Sequence, residues 1–240
     1  MKDRLIFALD VDTFEAAAHW VDVLKNEVGM FKVGKQLFTR CGPAVVEMIH
    51  AAGIQVFLDL KYHDIPNTVA AAALEAARLG VKMFNVHALG GANMMSTMQE
   101  RLRVVAQSEG WEIPMTLGVT VLTSSTTEDL RAVGIERPVD EMVARLAVLT
   151  KKSGLTGVVA SAREVELIRA ACGKDFVVVT PGVRPASATV DDQQRVVTPA
   201  AAMVAGADYI VVGRPISTAE DPIAAARAIV AEMEGALGKA

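Results

Sequence analysis

Asp59, Lys61 and Asp64 form an Asp-x-Lys-x-x-Asp pattern at the end of the apolar run Phe57-Leu58-Asp59-Leu60-Lys61-Tyr62. Residues two apart on an extended strand share a face, so Asp59 and Lys61 are expected to project together from a segment otherwise suited to burial. Burying charge is costly unless each ion finds partners. A structural ion pair at a strand end is one reading. The other is a lysine kept protonated in a dry pocket. A Schiff-base lysine must lose its proton, which burial or a neighbouring cation promotes. Carboxylates do the reverse: at ~4 Å and an effective dielectric near ~20, each supplies about 4 kcal/mol of attraction. With Asp59 and Asp64 both taken as neighbours, Lys61 reads as a permanent cation and proton donor. That suits a reaction that creates a carbanion and then protonates it.

The surrounding chain predicts what holds this cluster. Short apolar runs at Leu5–Leu9, Met30–Val33, Gln55–Leu60, Met83–Val86, Met115–Val121, Gly157–Ala160, Phe176–Thr180 and Tyr209–Val212 read as strands. They are continuous rather than alternating, as in parallel sheets covered on both faces. Each precedes a helix-length stretch: Phe14–Glu27, Gly42–Ala52, Asn67–Leu79, Ala92–Gln107, Val139–Ser153, Arg163–Ala171, Pro199–Ala205 and Asp221–Leu237. Gly53, Gly80, Gly154, Gly173 and Gly206 fall where helix C-caps belong. Eight such units in 240 residues predict α/β architecture, a single (β/α)8 TIM barrel spanning residues 1–240 as one catalytic domain. An open doubly wound sheet is the alternative, but the first turn lacks a Gly-x-Gly-x-x-Gly fingerprint.

Barrels of this kind carry their chemistry at the C-terminal strand ends. Those ends present Asp10, Lys32, Asp59 with Lys61, Asn85 with His87, Thr123 with Ser124, Ser161, Pro181 through Arg184, and Gly213-Arg214. Any one of them could be a helix cap; together they predict a charged rim. Gly213 beside Arg214 suits a phosphate, although a tight turn and a solvated charge would explain the same residues. Between Pro181 and Pro199 runs a polar segment without periodicity, expected to be a lid or binding loop. Its Arg184 and Gln193 could close over an anion, or be polar because the loop is exposed.

Bulk properties exclude several classes of function. The chain is 52% hydrophobic and 22% charged, with a formal net charge of −4, so disorder and non-specific nucleic-acid or anionic-membrane binding are not expected. Cys41 and Cys172 are too few for a disulfide framework, and no apolar run approaches a membrane span. The expectation is a soluble cytoplasmic protein.

The run from Phe57 to Thr68 resembles the signature of the orotidine 5′-phosphate decarboxylase family, whose members complete UMP synthesis. Ala8-Leu9-Asp10, Lys32-Val33-Gly34, Asn85-Val86-His87, Val119-Thr120-Val121-Leu122-Thr123-Ser124, Thr180-Pro181-Gly182-Val183-Arg184-Pro185 and Val212-Gly213-Arg214-Pro215 resemble further bacterial blocks of that family, in order. The likeness covers essentially the whole chain. It implies that Lys61 donates a proton to C6 of the pyrimidine after CO₂ leaves, with Asp59 against the substrate carboxylate. Lys32 would bridge Asp59 and the ribose, and Asp10 would also meet the ribose. Asp64, Ile65 and Thr68 would reach the neighbouring subunit's site in a homodimer. Thr123 and Ser124 would face the pyrimidine, Gln193 would link lid, phosphate and base, and Arg184, Gly213 and Arg214 would hold the phosphate. The resemblance implies neither metal nor organic cofactor, so His63 and His87 are expected to be structural. A related magnesium-dependent decarboxylase of 3-keto-gulonate 6-phosphate shares the Asp-x-Lys-x-x-Asp strand but carries an acidic residue where Lys32 stands. A non-catalytic sugar-phosphate-binding barrel is a further alternative, although binding alone needs no such charge set.

Overall fold

The computed structural model describes residues 1–185 and 197–238. Strands without a polar face must be covered on both sides, and these achieve it by closing on one another. The strands β1 (Leu5–Ala8), β2 (Met30–Gly34), β3 (Gln55–Tyr62), β4 (Met83–His87), β5 (Met115–Val119), β6 (Gly157–Val159), β7 (Val177–Pro181) and β8 (Tyr209–Val212) form a closed parallel barrel in sequence order. Pairing of Leu5 with Ile210 and of Ile6 with Val211 joins β8 back to β1. The helices are α1 (Phe14–Leu24), α2 (Lys35–Cys41), α3 (Ala44–Ala51), α4 (Pro66–Arg78), α5 (Gly91–Glu109), α6 (Thr127–Ala132), α7 (Val139–Lys152), α8 (Val165–Cys172), α9 (Pro199–Val204), α10 (Arg214–Ser217) and α11 (Pro222–Leu237).

Side-chain alternation along the strands divides the apolar residues into two cores. Ile6, Ala8, Met30, Phe57, Met83, Leu117, Val119, Val159, Val179 and Val211 fill the barrel lumen. Their neighbours, such as Leu5, Phe7, Phe31 and Leu58, point outward beneath the helices. The lumen is therefore packed, and its upper layer can serve as a floor for a site at the rim.

The predicted strands and the paired long helices are present, and the five expected capping glycines all adopt positive φ. Three short helices, α2, α6 and α10, depart from the expected pattern. The stretch expected as a helix over 42–52 begins at Ala44, and α2 precedes it as a separate element. A helix of four to seven residues completes at most about two turns, so its apolar period cannot stand out. No helix among the described residues is long and apolar enough to cross a membrane.

Opposite the rim, one arginine ties the last strands together. The Arg169 guanidinium donates to the Gly206 carbonyl at 2.6 and 3.0 Å, to the Phe176 carbonyl, and to the Asp208 carboxylate at 2.6 Å. Asp208 also accepts from the Val178 N–H at 2.7 Å. Arg169→Ala strands those acceptors and is expected to cost about 2–3 kcal/mol, which lowers Tm by roughly 5–10 °C in a domain of this size. Calorimetry checks this, and kcat at 25 °C should be unchanged because the network lies away from the rim.

Candidate active site

β3 does not remain a regular strand to its end. Its register with β4 runs from Leu58↔Phe84 to Tyr62↔Val86, so four steps on β3 match two on β4. Lys61 sits in this bulge with φ of 53°, the one described non-glycine residue with positive φ. Bulges next to sites re-aim side chains. Asp59 and Lys61 do meet, with Nζ 2.6 Å from Oδ1. The simple alternation expected for an extended strand is not what brings them together.

From this pair a chain of alternating charge crosses the rim. Lys32 Nζ lies 3.4 Å from the second Asp59 oxygen and 3.0 Å from Asp10 Oδ1. A Cβ on Gly34 would come within 3.1 Å of that ammonium, so the glycine leaves it room. The buried Asn85 amide donates to Asp59 Oδ1 at 2.7 Å. Burial by itself would push the Asp59 carboxyl up. The Lys32 and Lys61 ammoniums, with the hydrogen bonds from Lys61 and Asn85, outweigh it and hold the carboxyl below the usual carboxylate range. Asp59 is thus a fixed negative charge between two cations.

Two adjoining cavities flank this chain. One, of about 200 Å³, is lined by Lys32, Asp59, Lys61, Thr123 and Ser124, with Phe57, Val119, Val159 and Val211 of the lumen as its floor. The other, of about 350 Å³, is lined by Asp10, Arg184, Gly213 and Arg214 and shares Val211 with the first. One cavity is mostly apolar, with Lys32, Asp59 and Lys61 among its lining; the other holds two guanidiniums. That division fits a planar ring joined to an anionic group. Arg184 is buried at 6% exposure, and its N–H donates to the Val197 carbonyl at 3.1 Å. A parallel bridge between Val183 and Val197 brings together the two ends of the segment expected as a lid. Gln193 lies outside the described residues.

Asp64 differs from the reading that made it Lys61's second carboxylate. Its side chain accepts from the Ile65 N–H at 2.6 Å, and it makes no ion pair with Lys61 of the same chain. The spacing that suggested proximity assumed a continuing strand, whereas the chain turns there into α4. Asp64, Ile65 and Thr68 are all exposed, Ile65 at 67%. Within one chain Asp10, Lys32, Asp59, Lys61, Thr123, Ser124, Arg184, Gly213 and Arg214 line the two cavities, Ser161 is taken up in a capping box with Glu164, and Asp64, Ile65 and Thr68 stand apart.

His63 and His87 lie side by side, ring centroids 5.6 Å apart. Burial, then His63, Lys35 and Lys61, push the His87 imidazole down to about 4 from its ordinary 6.5. Between those values the unfolded chain binds a proton that the folded chain does not, so stability falls as pH drops from 6.5 towards 4. Thermal melting across that range should show a smaller acid loss for His87→Gln than for the parent chain. Among the described residues there is no cluster of three or more His, Cys, Asp or Glu side chains suited to a metal.

Residues 3–229 match the model of the orotidine 5′-phosphate decarboxylase / HUMPS family. The chain is 61% identical over 236 residues to the orotidine 5′-phosphate decarboxylase of Syntrophotalea carbinolica, covering 98% of this chain and 97% of that one. It is 60% identical over 232 residues to that of Geobacter sulfurreducens, covering 97% and 96%. The crystal structure of orotidine 5′-phosphate decarboxylase from Lactobacillus acidophilus superposes with a TM-score of 0.84 at 39% identity, covering 95% of this chain and 98% of that one.

Proposed function

The chain belongs to the orotidine 5′-phosphate decarboxylase / HUMPS family, and on that premise we propose that it converts orotidine 5′-phosphate to UMP and CO₂ without a cofactor. The observation that carries this reading is the Asp10–Lys32–Asp59–Lys61 charge chain set between an apolar cavity and an arginine-lined one. The pyrimidine occupies the first, against Thr123 and Ser124. The phosphate occupies the second, with Arg184, Gly213 and Arg214, and the ribose lies between them near Asp10 and Lys32.

In the reaction the bond from C6 to the carboxylate carbon breaks and its electron pair stays on C6. That pair lies in the ring plane, where the π-system cannot spread it, and no cofactor acts as an electron sink. Stabilisation then falls to preorganised charge. The Lys61 ammonium supplies it and afterwards transfers a proton to C6. Asp59 fixes Lys61 and faces the departing carboxylate. Binding energy from the remote phosphate is realised in the transition state rather than at the reacting carbon. Lys32 Nζ stands between two carboxylates and supplies there the positive charge a divalent ion would otherwise bring.

The exposed Asp64, Ile65 and Thr68 support activity as a homodimer in which they complete the neighbouring site. An equal mixture of Lys61→Ala and Asp64→Ala chains, reassorted into dimers, is expected to regain about a quarter of the parent activity, since about half the dimers are mixed and each has one intact site. No regained activity would place Asp64 outside the partner's site. The free thiols of Cys41 and Cys172 fit a reducing compartment, and we place the enzyme in the cytoplasm. The test of the function itself is the loss of orotidine 5′-phosphate absorbance with purified protein. Stoichiometric UMP is the expected product, and unchanged substrate overturns the reading.

A further inference from the structure

We infer that Asn85 is a positioning residue that holds the proton donor in register, an inference resting on the function proposed above. Three observations converge on it. First, the β3–β4 ladder fails between Leu58 and Tyr62, and Asn85 lies on β4 between the residues that pair with them, Phe84 and Val86. Second, Lys61 has the left-handed backbone noted above. That conformation is unfavourable for a lysine and persists only where the surroundings impose it. Third, the Lys61 N–H donates to Asn85 Oδ1 at 2.8 Å while Asn85 Nδ2 donates to Asp59 Oδ1 at 2.7 Å.

One buried amide therefore replaces the lost ladder bond and grips the carboxylate that receives the Lys61 ammonium. Asn85 is 0% exposed, so neither end of its side chain can exchange these partners for bulk water. Its position ties the backbone and the side-chain end of Lys61 to the same rigid point. A residue of this kind affects catalysis through geometry: a displacement of ~1 Å can cost about 100-fold in rate. The alternative role is simple core filling, which any side chain of equal volume would supply.

Asn85→Leu keeps the heavy-atom count and branching of the side chain and removes both hydrogen bonds. Asn85→Asp keeps the acceptor for the Lys61 N–H but sets a carboxylate against Asp59, where two such groups share a proton. The titratable groups around this pair are Asp59 and Lys61 on β3, Lys32 on β2, Asp10 beyond β1, His87 on β4, and His63 beside it.

For Asn85→Leu we expect kcat to fall about 100-fold while the affinity for UMP stays within about threefold, because misplacement affects the chemistry and leaves the phosphate and base contacts intact. For Asn85→Asp the loss should be largest at pH 8. It should shrink about tenfold relative to the parent by pH 6, as the shared proton restores a donor to Asp59. Asn85→Ser, with a shorter hydroxyl, gives a third point and the same readouts if Asn85→Leu fails to fold.

The inference is overturned if kcat of the leucine variant stays within about threefold of the parent, if kcat and UMP affinity fall together, or if the aspartate variant's loss is the same at both pH values. Failure of the functional reading is distinct, because the parent enzyme would then not turn over orotidine 5′-phosphate at all.

Discussion

Lys61→Ala is expected to lower kcat on orotidine 5′-phosphate by at least about 10⁴-fold, because it removes both a positioned acid and the charge that stabilises the carbanion. Each effect alone is commonly worth about 10²–10³-fold or more in enzymes. Here they reside in one ammonium, 2.6 Å from Asp59 and at the edge of the apolar cavity. No described group stands ready to replace it, since Lys32 is held on the other Asp59 oxygen and on Asp10. The fold should survive. Asp59 keeps Lys32 at 3.4 Å and Asn85 at 2.7 Å, so its buried charge retains partners. The expected loss of stability is about 1–3 kcal/mol, that of one charge-assisted hydrogen bond. Calorimetric titration with UMP should still give binding, which separates lost chemistry from lost structure. A variant that keeps more than about one hundredth of the parent kcat would remove Lys61 from the donor role, since water and the remaining charges could not account for it.

Arg214→Ala should lower kcat/KM by about 10²–10⁴-fold, the equivalent of two charge-assisted hydrogen bonds to phosphate at ~1.5–3 kcal/mol each. Arg214 opens α10 and lines the 350 Å³ cavity beside Asp10 and the buried Arg184. In the proposed binding mode the reacting carbon lies in the neighbouring cavity, out of the arginine's reach. A fall in kcat as well as a rise in KM is nevertheless expected, because energy from a remote group is used to reach the transition state. Arg214→Lys should recover part of the loss: it restores the charge but not the planar fork. Steady-state kinetics of the two variants check both points, and an unchanged kcat/KM in Arg214→Ala would exclude a phosphate contact.

Much of this molecule is legible in its sequence because its largest energies are periodic. Continuous runs such as Ile6-Phe7-Ala8 and Tyr209-Ile210-Val211-Val212 can only be strands buried on both faces, and eight of them close a barrel. Closure alone then collects the polar strand ends, so Asp10, Lys32, Asp59, Lys61, Thr123, Ser124, Arg184, Gly213 and Arg214 were predictable as rim residues. What escapes is local and non-periodic. The left-handed backbone of Lys61 carries no glycine or asparagine signal, and a bulge leaves the hydrophobic pattern of β3 almost unaltered. The double grip of Asn85 is a contact between strands 24 residues apart in sequence, which spacing cannot reveal. Pairing Asp64 with Lys61 of the same chain fails for the opposite reason: three residues of separation look close, yet the turn into α4 carries the Asp64 side chain to the Ile65 N–H.

The most direct test is to run the reaction in heavy water and examine UMP by proton NMR. A C6 carbanion quenched by the exchangeable Lys61 ammonium predicts one deuterium at C6 for every CO₂ released, with UMP formation suppressed in Lys61→Ala. Hydrogen rather than deuterium at C6, or substrate left unchanged, would contradict it.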